Sequence, residues 1–514
     1  MSAYGTGHPW RTRGHQSNGY RSNDSGRGKG RGNALPTSRP GQPWRGRSEP
    51  PQRPPSPPLG PVLTTWSTKD LAASDGPGER PAKITDCECI ASYSWLNEKE
   101  PTILVPGKPP TWTPLHAAVP LKEDSGTYFR DPNAARYPSY PIEPAVRALL
   151  AEHEGFPTTS IDVFGCGSTI GNLLRFIQRD TKPFRFLVEM VGNTVFFVRR
   201  ENSPTETIPD VRGYGHSFPE AYTTWDADVK GSEFHQRIIR YKFGGLSFLV
   251  RFESDGYQKD LVSDPEPGEP EQPSLSQTTA NIDEPIPASF DTLLAVTSLD
   301  MKPSLPAKEL TIKTGGRRIP QEAVFELKTR SAWRKDHDLL SDQIARLWVR
   351  QIPNFIVAYH KSGSFEDIRI RNVRKEIDAW ELLNQHNLRL LTALIRKIIG
   401  FAKSSDSERL EVRCVDHDVL EIREQADRYA TLLPHIKAHW VEGEKPRQFE
   451  GGLGKVAGHD VSHEKEREQE AGSDDGWLSA EEKLRDWDNG SDTSEPDFTA
   501  CSAEGCGYCG HCSY

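Results

Sequence analysis

The sequence predicts a mixed α/β (α+β) fold in which a largely antiparallel central sheet is flanked by helices. Two hairpin patterns indicate the sheet, one over residues 187–198 around a Gly-Asn turn and one over residues 238–253 around a Gly-Gly turn, because β-branched and aromatic residues flank each turn. Beyond Lys328 the spacing of apolar residues changes to the helical period. The two patterns together predict a domain organised around a sheet.

The remaining elements are each predicted from a local pattern. Leu339, Ile344 and Leu347 fall on one face of a helix that Pro353 stops. Around this helix we expect a third hairpin over residues 310–328, a strand over 354–360, a strand over 365–373 after a glycine turn, and a long helix over 380–399.

Composition divides the chain into one ordered domain and flexible extensions. The ends are rich in Gly, Pro, Arg and acidic residues, and such segments cannot offset the entropy of ordering by burying apolar surface. We therefore expect a single domain over residues 84–440. The other predicted segments are a disordered Arg/Gly/Pro-rich arm at 1–83, a disordered insertion at about 258–288, an acidic disordered tail at 441–500 and a cysteine-rich tail at 501–514.

The same composition bears on location and partners. Hydrophobic residues make up 35% of the chain, and no apolar run approaches the roughly 18 residues of a membrane span. No apolar segment follows the basic N-terminus, so a secretory signal is not expected. We expect an intracellular protein, nuclear or cytoplasmic, that is neither secreted nor membrane-bound. The Arg-Gly tract at 27–32 is typical of an RNA-attracting arm, although a solvated linker would have the same composition.

Two short strand motifs carry the chemistry. Strand alternation places Glu253 and Asp255 on one face, opposite Phe252, and likewise places Glu326 and Lys328 on one face of a second strand. If the two strands are neighbours, three carboxylates and one ammonium converge. Either motif alone is also common on the polar face of a half-buried strand. The combination is what predicts a site.

Converging carboxylates repel one another unless a cation lies between them. Mg²⁺ and Mn²⁺ are bound through oxygen ligands, and Mg²⁺ typically uses a few carboxylates together with substrate phosphate. Glu253, Asp255 and Glu326 are therefore predicted metal ligands. Such ions can hold the attacking water and the leaving oxygen of a phosphodiester, while Lys328 would orient the nucleophile or stabilise charge on phosphorus.

The order of motifs resembles the DXO family of RNA decapping enzymes and exoribonucleases, within the Glu-x-Lys nuclease fold. Glu253-x-Asp255 and Glu326-Leu327-Lys328 are followed by a helix and by the strand segment 352–360. Upstream, residues 164–174 resemble the early strand-turn segment of the family, and residues 215–220 resemble its Gly-to-Glu motif. The resemblance covers roughly residues 90–400 and identifies the chain as a divergent, fungal-type relative.

The resemblance implies roles for individual residues. Glu253, Asp255 and Glu326 would hold the metal, Lys328 would be the catalytic lysine, and Glu220 would be a further acidic residue of the same site. Gln343 matches the glutamine that several such nucleases place over the site, although an exposed helical glutamine is equally compatible with the sequence. The function implied is metal-dependent hydrolysis of phosphodiester or pyrophosphate bonds at RNA 5′ ends.

Three departures from the family pattern favour an alternative. Cys166 stands where the family has an early arginine, and Pro219 adds a residue to the Gly-to-Glu motif. In addition, a long segment from Gly256 through Glu322 separates the two halves of the predicted metal site. The alternative is a catalytically impaired nuclease-fold protein that binds RNA or a partner exoribonuclease. Prenyl diphosphate synthesis, a third class, is disfavoured because the pairs Asp474-Asp475 and Glu481-Glu482 lie in the acidic tail without helical counterparts.

A second metal site is predicted at the C-terminus. Four closely spaced thiolates can wrap a tetrahedral Zn²⁺, and His511 could compete as a ligand. The same ligands also suit an Fe–S centre, and a redox-sensitive or merely flexible tail is a further alternative. The four residues are Cys501, Cys506, Cys509 and Cys512.

Overall fold

The structure is a computed structural model that describes residues 54–72, 81–180, 182–209, 211–262, 309–407, 409–416, 418–427 and 430–442. These residues form a mixed α+β arrangement with one sheet of eleven strands and one of six. Most neighbouring strands run antiparallel, and the parallel pairs include Val163–Cys166 beside Leu246–Ser254 and Val324–Ser331 beside Asn354–Lys361. The predicted fold class is confirmed.

The strands are β1 Val62–Trp66, β2 Ile84–Leu96, β3 Thr102–Gly107, β4 Thr111–Trp112, β5 Val163–Cys166, β6 Phe184–Val191, β7 Thr194–Arg199, β8 Thr223–Thr224, β9 Ser232–Phe243, β10 Leu246–Ser254, β11 Gly256–Tyr257, β12 Thr311–Gly316, β13 Val324–Ser331, β14 Asn354–Lys361, β15 Ser364–Asn372, β16 Arg409–Asp416 and β17 Val419–Glu424. The α-helices are α1 Lys69–Ala72, α2 Pro132–Arg136, α3 Glu143–Glu152, α4 Gly167–Ile177, α5 Ser217–Tyr222, α6 Leu339–Arg350, α7 Arg374–Leu383, α8 Gln385–Ser404 and α9 Pro434–Glu442.

The strand order explains where the two chemical motifs lie. The larger sheet has the order β1-β17-β16-β6-β7-β5-β10-β9-β2-β3-β12, and the smaller has the order β15-β14-β13-β11-β4-β8. The Glu253 motif ends β10 in the larger sheet, whereas the Glu326 motif lies in β13 of the smaller sheet. Immediately after Asp255 the chain enters β11, which pairs antiparallel with β13. The two motifs are therefore brought together by a strand that passes from one sheet to the other.

Gly256 permits this passage. A β-carbon at position 256 would lie 2.4 Å from a ring carbon of Phe325 and 2.8 Å from the carbonyl oxygen of Pro110. Both distances are far below van der Waals contact, so only glycine fits between β4 and β13. The absence of a side chain at position 256 thus sets the position of Asp255 beside β13.

The two predicted N-terminal hairpins are β6–β7 and β9–β10, each paired antiparallel. The predicted third hairpin is wrong. β12 pairs in parallel with β3 in the larger sheet, while β13 belongs to the smaller one. Alternation of polar and apolar residues predicts both strands correctly but does not say which strands are neighbours. Glycines between two strands permit a hairpin, but they equally permit the chain to leave one sheet and enter another.

Two further boundaries differ from the prediction. The long helix expected over 380–399 is divided at Asn384 into α7 and α8. The domain expected from residue 84 begins earlier, because β1 pairs with β17 at the edge of the larger sheet, so the disordered arm predicted for residues 1–83 is wrong over this strand. Residues 67–72, which include α1, are also ordered parts of this predicted arm. Residues 1–53 and 73–80 of the arm, most of the insertion, all but the first two residues of the acidic tail, and the cysteine tail lie outside the described residues.

The larger sheet buries apolar residues on both faces. On one face Phe248, Val250 and Phe252 share a core with α4, α6 and α8. On the other face Leu249 joins a core that includes residues of α3. Burial of this apolar surface is the main favourable contribution to folding. Within the described residues, no helix has the length and apolar character needed to cross a membrane.

Candidate buried carboxylate and cation site

β13 divides its side chains between two faces. Phe325 and Leu327 pack in a cluster with Phe218 and Tyr222 of α5. Glu326 and Lys328 point to the opposite face, as strand alternation predicts, where they meet the side chains of α6. The neighbouring strands β11 and β14 cover both edges of β13. The Glu326 motif is consequently enclosed on all sides.

Glu326 is the centre of this enclosed cluster and is fully buried. One carboxylate oxygen, Oε1, lies 2.6 Å from Lys328 Nζ and 2.9 Å from Arg346 Nε. The other, Oε2, accepts a hydrogen bond of 3.3 Å from Arg350 NH1. Lys328 is only 3% exposed and both arginines only 1%. Three buried cations therefore share the single carboxylate of Glu326.

The two arginines come from one face of α6. Positions 343, 346 and 350 are separated by three and four residues, which places Gln343, Arg346 and Arg350 on the same side of the helix. Asp338 caps the helix by accepting a hydrogen bond from the Ser341 amide. Gln343 is buried rather than exposed. The groups that reach Glu326 from this helix face are the two arginines, and the place predicted for Gln343 over the site stays a prediction.

Packing fixes Arg350 in place. Its guanidinium carbon lies 5.8 Å from the ring centre of Phe252 on β10. Gly167, which follows Cys166 at the start of α4, approaches so closely that a β-carbon there would lie 3.3 Å from Arg350 Cγ. Cys166 itself is buried with its sulfur 3.0 Å from the hydroxyls of Ser168 and Thr169. The glycine beside Cys166 thus makes room for the arginine.

The charges of the cluster determine the protonation of Glu326. Burial alone would raise the pKa of this carboxyl, but the positive charges of Arg346, Lys328 and Arg350 outweigh burial and lower the pKa to about 2. Glu326 is accordingly ionised throughout the physiological pH range. It acts as a permanent counterion for the three cations around it.

Asp255 lies beside this cluster and behaves differently. Its Oδ2 accepts a 2.7 Å hydrogen bond from the backbone amide of Leu327. Burial and the negative charge of Glu326 raise the pKa of Asp255 to about 6, against the opposing effect of Lys328. The structure thus brings Asp255, Glu326 and Lys328 together as predicted.

Asp255→Asn is expected to raise stability at pH 7 and to change its pH dependence. A pKa raised from 3.8 to about 6 means that the folded state favours the neutral carboxyl, so its stabilising contribution is complete below pH 3.8 and is lost as pH rises through 6. The free energies of unfolding of wild type and variant, measured by urea denaturation from pH 4 to 7, should diverge in favour of the variant as pH rises. A difference that stays constant across this range would contradict the assignment.

Glu253 occupies a different environment. It is half-buried on β10, where Oε2 lies 3.5 Å from Nε2 of Gln236 on β9. The same glutamine accepts a 3.1 Å hydrogen bond from Arg251 through Oε1. Glu253 is thus placed in a polar row across β9 and β10, within the larger sheet. Its predicted role as a metal ligand remains a hypothesis.

The arrangement does not fit a divalent cation. Among the described residues, no group of three or more His, Cys, Asp or Glu side chains is arranged to hold a metal ion. Both oxygens of Glu326 already face cationic side chains, and the positive charge that a metal would supply is present as Lys328, Arg346 and Arg350. A divalent ion placed here would be repelled by three cations.

Glu220 is not part of the cluster. It lies on α5 and is exposed, whereas Phe218 and Tyr222 of the same helix pack against the face of β13 opposite Glu326. Glu220 follows the buried Phe218 by two residues, which turns its side chain away from the core. Burial raises the pKa of Tyr128, and the negative charges of Asp124 and Glu220 raise it further. The extra Pro219 in the motif coincides with this altered position.

Arg346 and Arg350 were not predicted from the sequence. Their signal was present in α6, where both fall close to the apolar face of Leu339 and Leu347 rather than opposite to it. Arginines at the edge of an apolar face usually extend their charged ends to water. Buried arginines facing a Glu-x-Lys strand become recognisable only when helix and strand are known to pack together.

Comparison with known proteins gives one family match. Residues 79–418 match the family model described as "Domain of unknown function (DUF8563)". No curated protein matches the sequence.

Several solved structures are similar at low sequence identity. Rai1 of S. pombe is 12% identical, with 70% of this chain and 99% of that chain covered and a TM-score of 0.43. Candida albicans Rai1 in complex with pU5-Mn²⁺ is 9% identical, with 71% and 96% covered and a TM-score of 0.43. K. lactis Dxo1 in complex with manganese is 10% identical, with 74% and 97% covered and a TM-score of 0.38. Because the family model spans well over half of the sequence, the chain belongs to the DUF8563 family.

Proposed function

We propose that this protein binds RNA through a nuclease-like fold and does not hydrolyse it by a metal-dependent reaction. The observation that carries the proposal is the buried Glu326, whose oxygens face Lys328, Arg346 and Arg350. A carboxylate that is neutralised in this way has no oxygen available for a metal. The Glu-x-Lys motif then stabilises the packing of α6 on β13 instead of supplying chemistry.

RNA is the proposed ligand because basic residues follow the buried motif. The segment from Thr329 to Lys335 contains three basic residues and no acidic one, and Arg330 among them is buried. Arg334 and Lys335 in this segment are half-buried at the surface. The Arg-Gly tract at residues 27–32 adds positive charge elsewhere in the sequence. Lysine and arginine side chains bind phosphates, and this contribution to RNA affinity depends on salt.

Incubation of the full chain with 5′-triphosphate, capped and 5′-monophosphate RNA tests the proposal. In Mg²⁺ or Mn²⁺ we expect no cleavage above a protein-free control, while fluorescence anisotropy detects RNA binding that weakens with salt. Asp255→Asn should leave that binding unchanged because Asp255 faces the buried cluster. Metal-dependent cleavage that Asp255→Asn abolishes would refute the proposal, and so would an absence of RNA binding.

A second candidate is metal-dependent hydrolysis at RNA 5′ ends, with RNA decapping as the reaction class. One observation favours it: Asp255 has a pKa raised to about 6, and a carboxyl held near neutrality by a neighbouring carboxylate gains stability when a cation arrives. This candidate requires Arg346 and Arg350 to leave Glu326. In the cleavage experiment it predicts product formation that depends on both Asp255 and the added metal.

A further inference from the structure

Trp333 is the most exposed large apolar side chain in the described residues, with 92% of its surface accessible. It lies in the short 3₁₀ turn Ala332–Arg334, directly after β13 and five residues beyond Lys328. A tryptophan whose indole is exposed to water lacks the stabilisation that burial of its large apolar surface normally provides. Single exposed apolar residues occur on most surfaces, so the side chains around Trp333 decide whether it has a role.

Those surroundings are cationic and aromatic. Lys335 Nζ lies 5.7 Å and the Arg369 guanidinium carbon 4.8 Å from the ring centre of Tyr359. Asp367 holds both cations, at 2.7 Å from Lys335 Nζ and 3.0 Å from Arg369 NH2. Arg369 is nevertheless about half exposed. Lys335 follows Trp333 by two residues, and Arg369 shares with Lys335 both the Tyr359 ring and the Asp367 carboxylate. Both cations are partly open to solvent.

Basic side chains lie on both sides of the tryptophan. Arg334 follows it directly, and the exposed Lys361 ends β14, the strand that runs parallel to β13 and finishes beside it. The same segments contain four acidic residues, Asp336, Asp338, Glu366 and Asp367, as well as the four basic residues Arg334, Lys335, Lys361 and Arg369. Two of the carboxylates are already engaged, because Asp338 caps α6 and Asp367 pairs with Lys335 and Arg369. An aromatic ring with basic neighbours matches the surfaces that bind single-stranded nucleic acids.

We propose that a base of single-stranded RNA stacks on Trp333 while Lys335 and Arg369 contact the adjoining phosphates. We call the surface formed by Trp333, Arg334, Lys335, Lys361 and Arg369 the Trp333 platform. The proposal rests on the RNA binding proposed above and adds the place where the bases bind. A double helix does not present its base faces, so the platform is expected to prefer single strands.

The charge around Trp333 favours RNA over a protein partner. A protein-binding patch is apolar at its centre, with charged residues depleted there. Here the residues next to Trp333 in sequence are Ala332, which is half-buried, and Arg334. The cations nearby are paired with a single shared carboxylate rather than covered by apolar residues. A ligand with both a flat ring and negative charge complements this surface.

Binding of fluorescein-labelled single-stranded oligouridylate to the full chain tests the platform by anisotropy. Trp333→Ala should weaken binding by about 5- to 150-fold, the range for losing one base stack, at every salt concentration and with an unchanged salt slope. Arg369→Gln should instead make the slope of log affinity against log salt concentration shallower by about one unit, the amount expected for one lost phosphate contact. Trp333→Phe should retain most of the affinity, because phenylalanine also stacks.

Two controls separate stacking from other effects. An oligonucleotide of equal length made of abasic sites should bind wild type and Trp333→Ala equally. Leu383→Ala removes another side chain that is 85% exposed and should leave RNA affinity unchanged.

Wild-type affinity in Trp333→Ala would overturn this inference while leaving the proposed RNA binding intact. An absence of binding by the unaltered chain overturns both proposals. A loss of self-association in Trp333→Ala with unchanged RNA affinity would assign the surface to a second copy of the chain and overturn the inference. Sedimentation velocity on both proteins reports that outcome.

Discussion

Glu326→Gln is expected to lower the free energy of unfolding by about 3–5 kcal/mol, the effect of leaving buried charges without their counterion. The carboxylate of Glu326 is the counterion shared by Lys328, Arg346 and Arg350, all almost fully buried. Glutamine keeps the shape but supplies no negative charge. Urea denaturation in the presence of a chelator measures the loss.

The sign of this effect separates the two candidate functions. In a cage of carboxylates that awaits a metal, removing one carboxylate relieves repulsion and stabilises the metal-free protein. In the cluster described here it does the opposite. Glu366→Gln is a matched control, since Glu366 is exposed on β15 of the same sheet and its replacement should change stability by less than about 0.5 kcal/mol. Increased stability of Glu326→Gln in chelator would contradict the buried ion-pair cluster.

A double-mutant cycle gives a further check on the same pairings. Arg346→Met removes one cation and fills its volume, and alone it should destabilise because Glu326 loses a partner. The double variant with Glu326→Gln should lose less free energy of unfolding than the sum of the two single variants. The reason is that the charges of Glu326 and Arg346 are removed together, so neither of these two is left without the other. Additive effects would mean that Arg346 and Glu326 do not interact, despite the 2.9 Å separation of Nε and Oε1.

The sequence predicts local structure well in this protein, because the alternation of polar and apolar residues that marks a strand is visible within a few residues. The faces of β13 follow directly from Phe325 and Leu327 alternating with Glu326 and Lys328, and the structure places them so. The failed third hairpin shows the limit of the same reasoning. Which strands become neighbours depends on packing between distant segments, such as the close contact of Gly256 with Phe325.

The site was predicted in part for the same reason. Asp255, Glu326 and Lys328 lie together because two strand motifs and one glycine suffice to place them. Whether carboxylates bind a metal or an arginine depends on the helix that covers them. Two residues of α6, Arg346 and Arg350, change the electrostatics from repulsion between anions to neutralised ion pairs. Sequence motifs defined by their carboxylates alone do not include these arginines and therefore do not predict the ion pairs.

Exchanging both arginines should expose the effect that they have on metal binding. In the double variant Arg346→Gln and Arg350→Gln, Lys328 would remain of the three cations that contact Glu326, so the two carboxylates of Glu326 and Asp255 would outnumber it. Mg²⁺ is commonly held by one or two carboxylates with waters completing its shell. We therefore expect Mn²⁺ or Mg²⁺ to stabilise the double variant and not the wild type.

The expected size follows from mass action. A metal present at about 100 times its dissociation constant adds about 2.7 kcal/mol to the free energy of unfolding, which thermal or urea denaturation with and without Mn²⁺ resolves. The double variant Arg369→Gln and Arg371→Gln is the matched control, because both of these arginines lie exposed on β15. Stabilisation of the wild type by Mn²⁺ to the same extent would show that the arginines do not take the place of the metal. Stabilisation confined to the Arg346 and Arg350 variant would show that two guanidinium groups are what keeps a divalent ion from the Glu326 carboxylate.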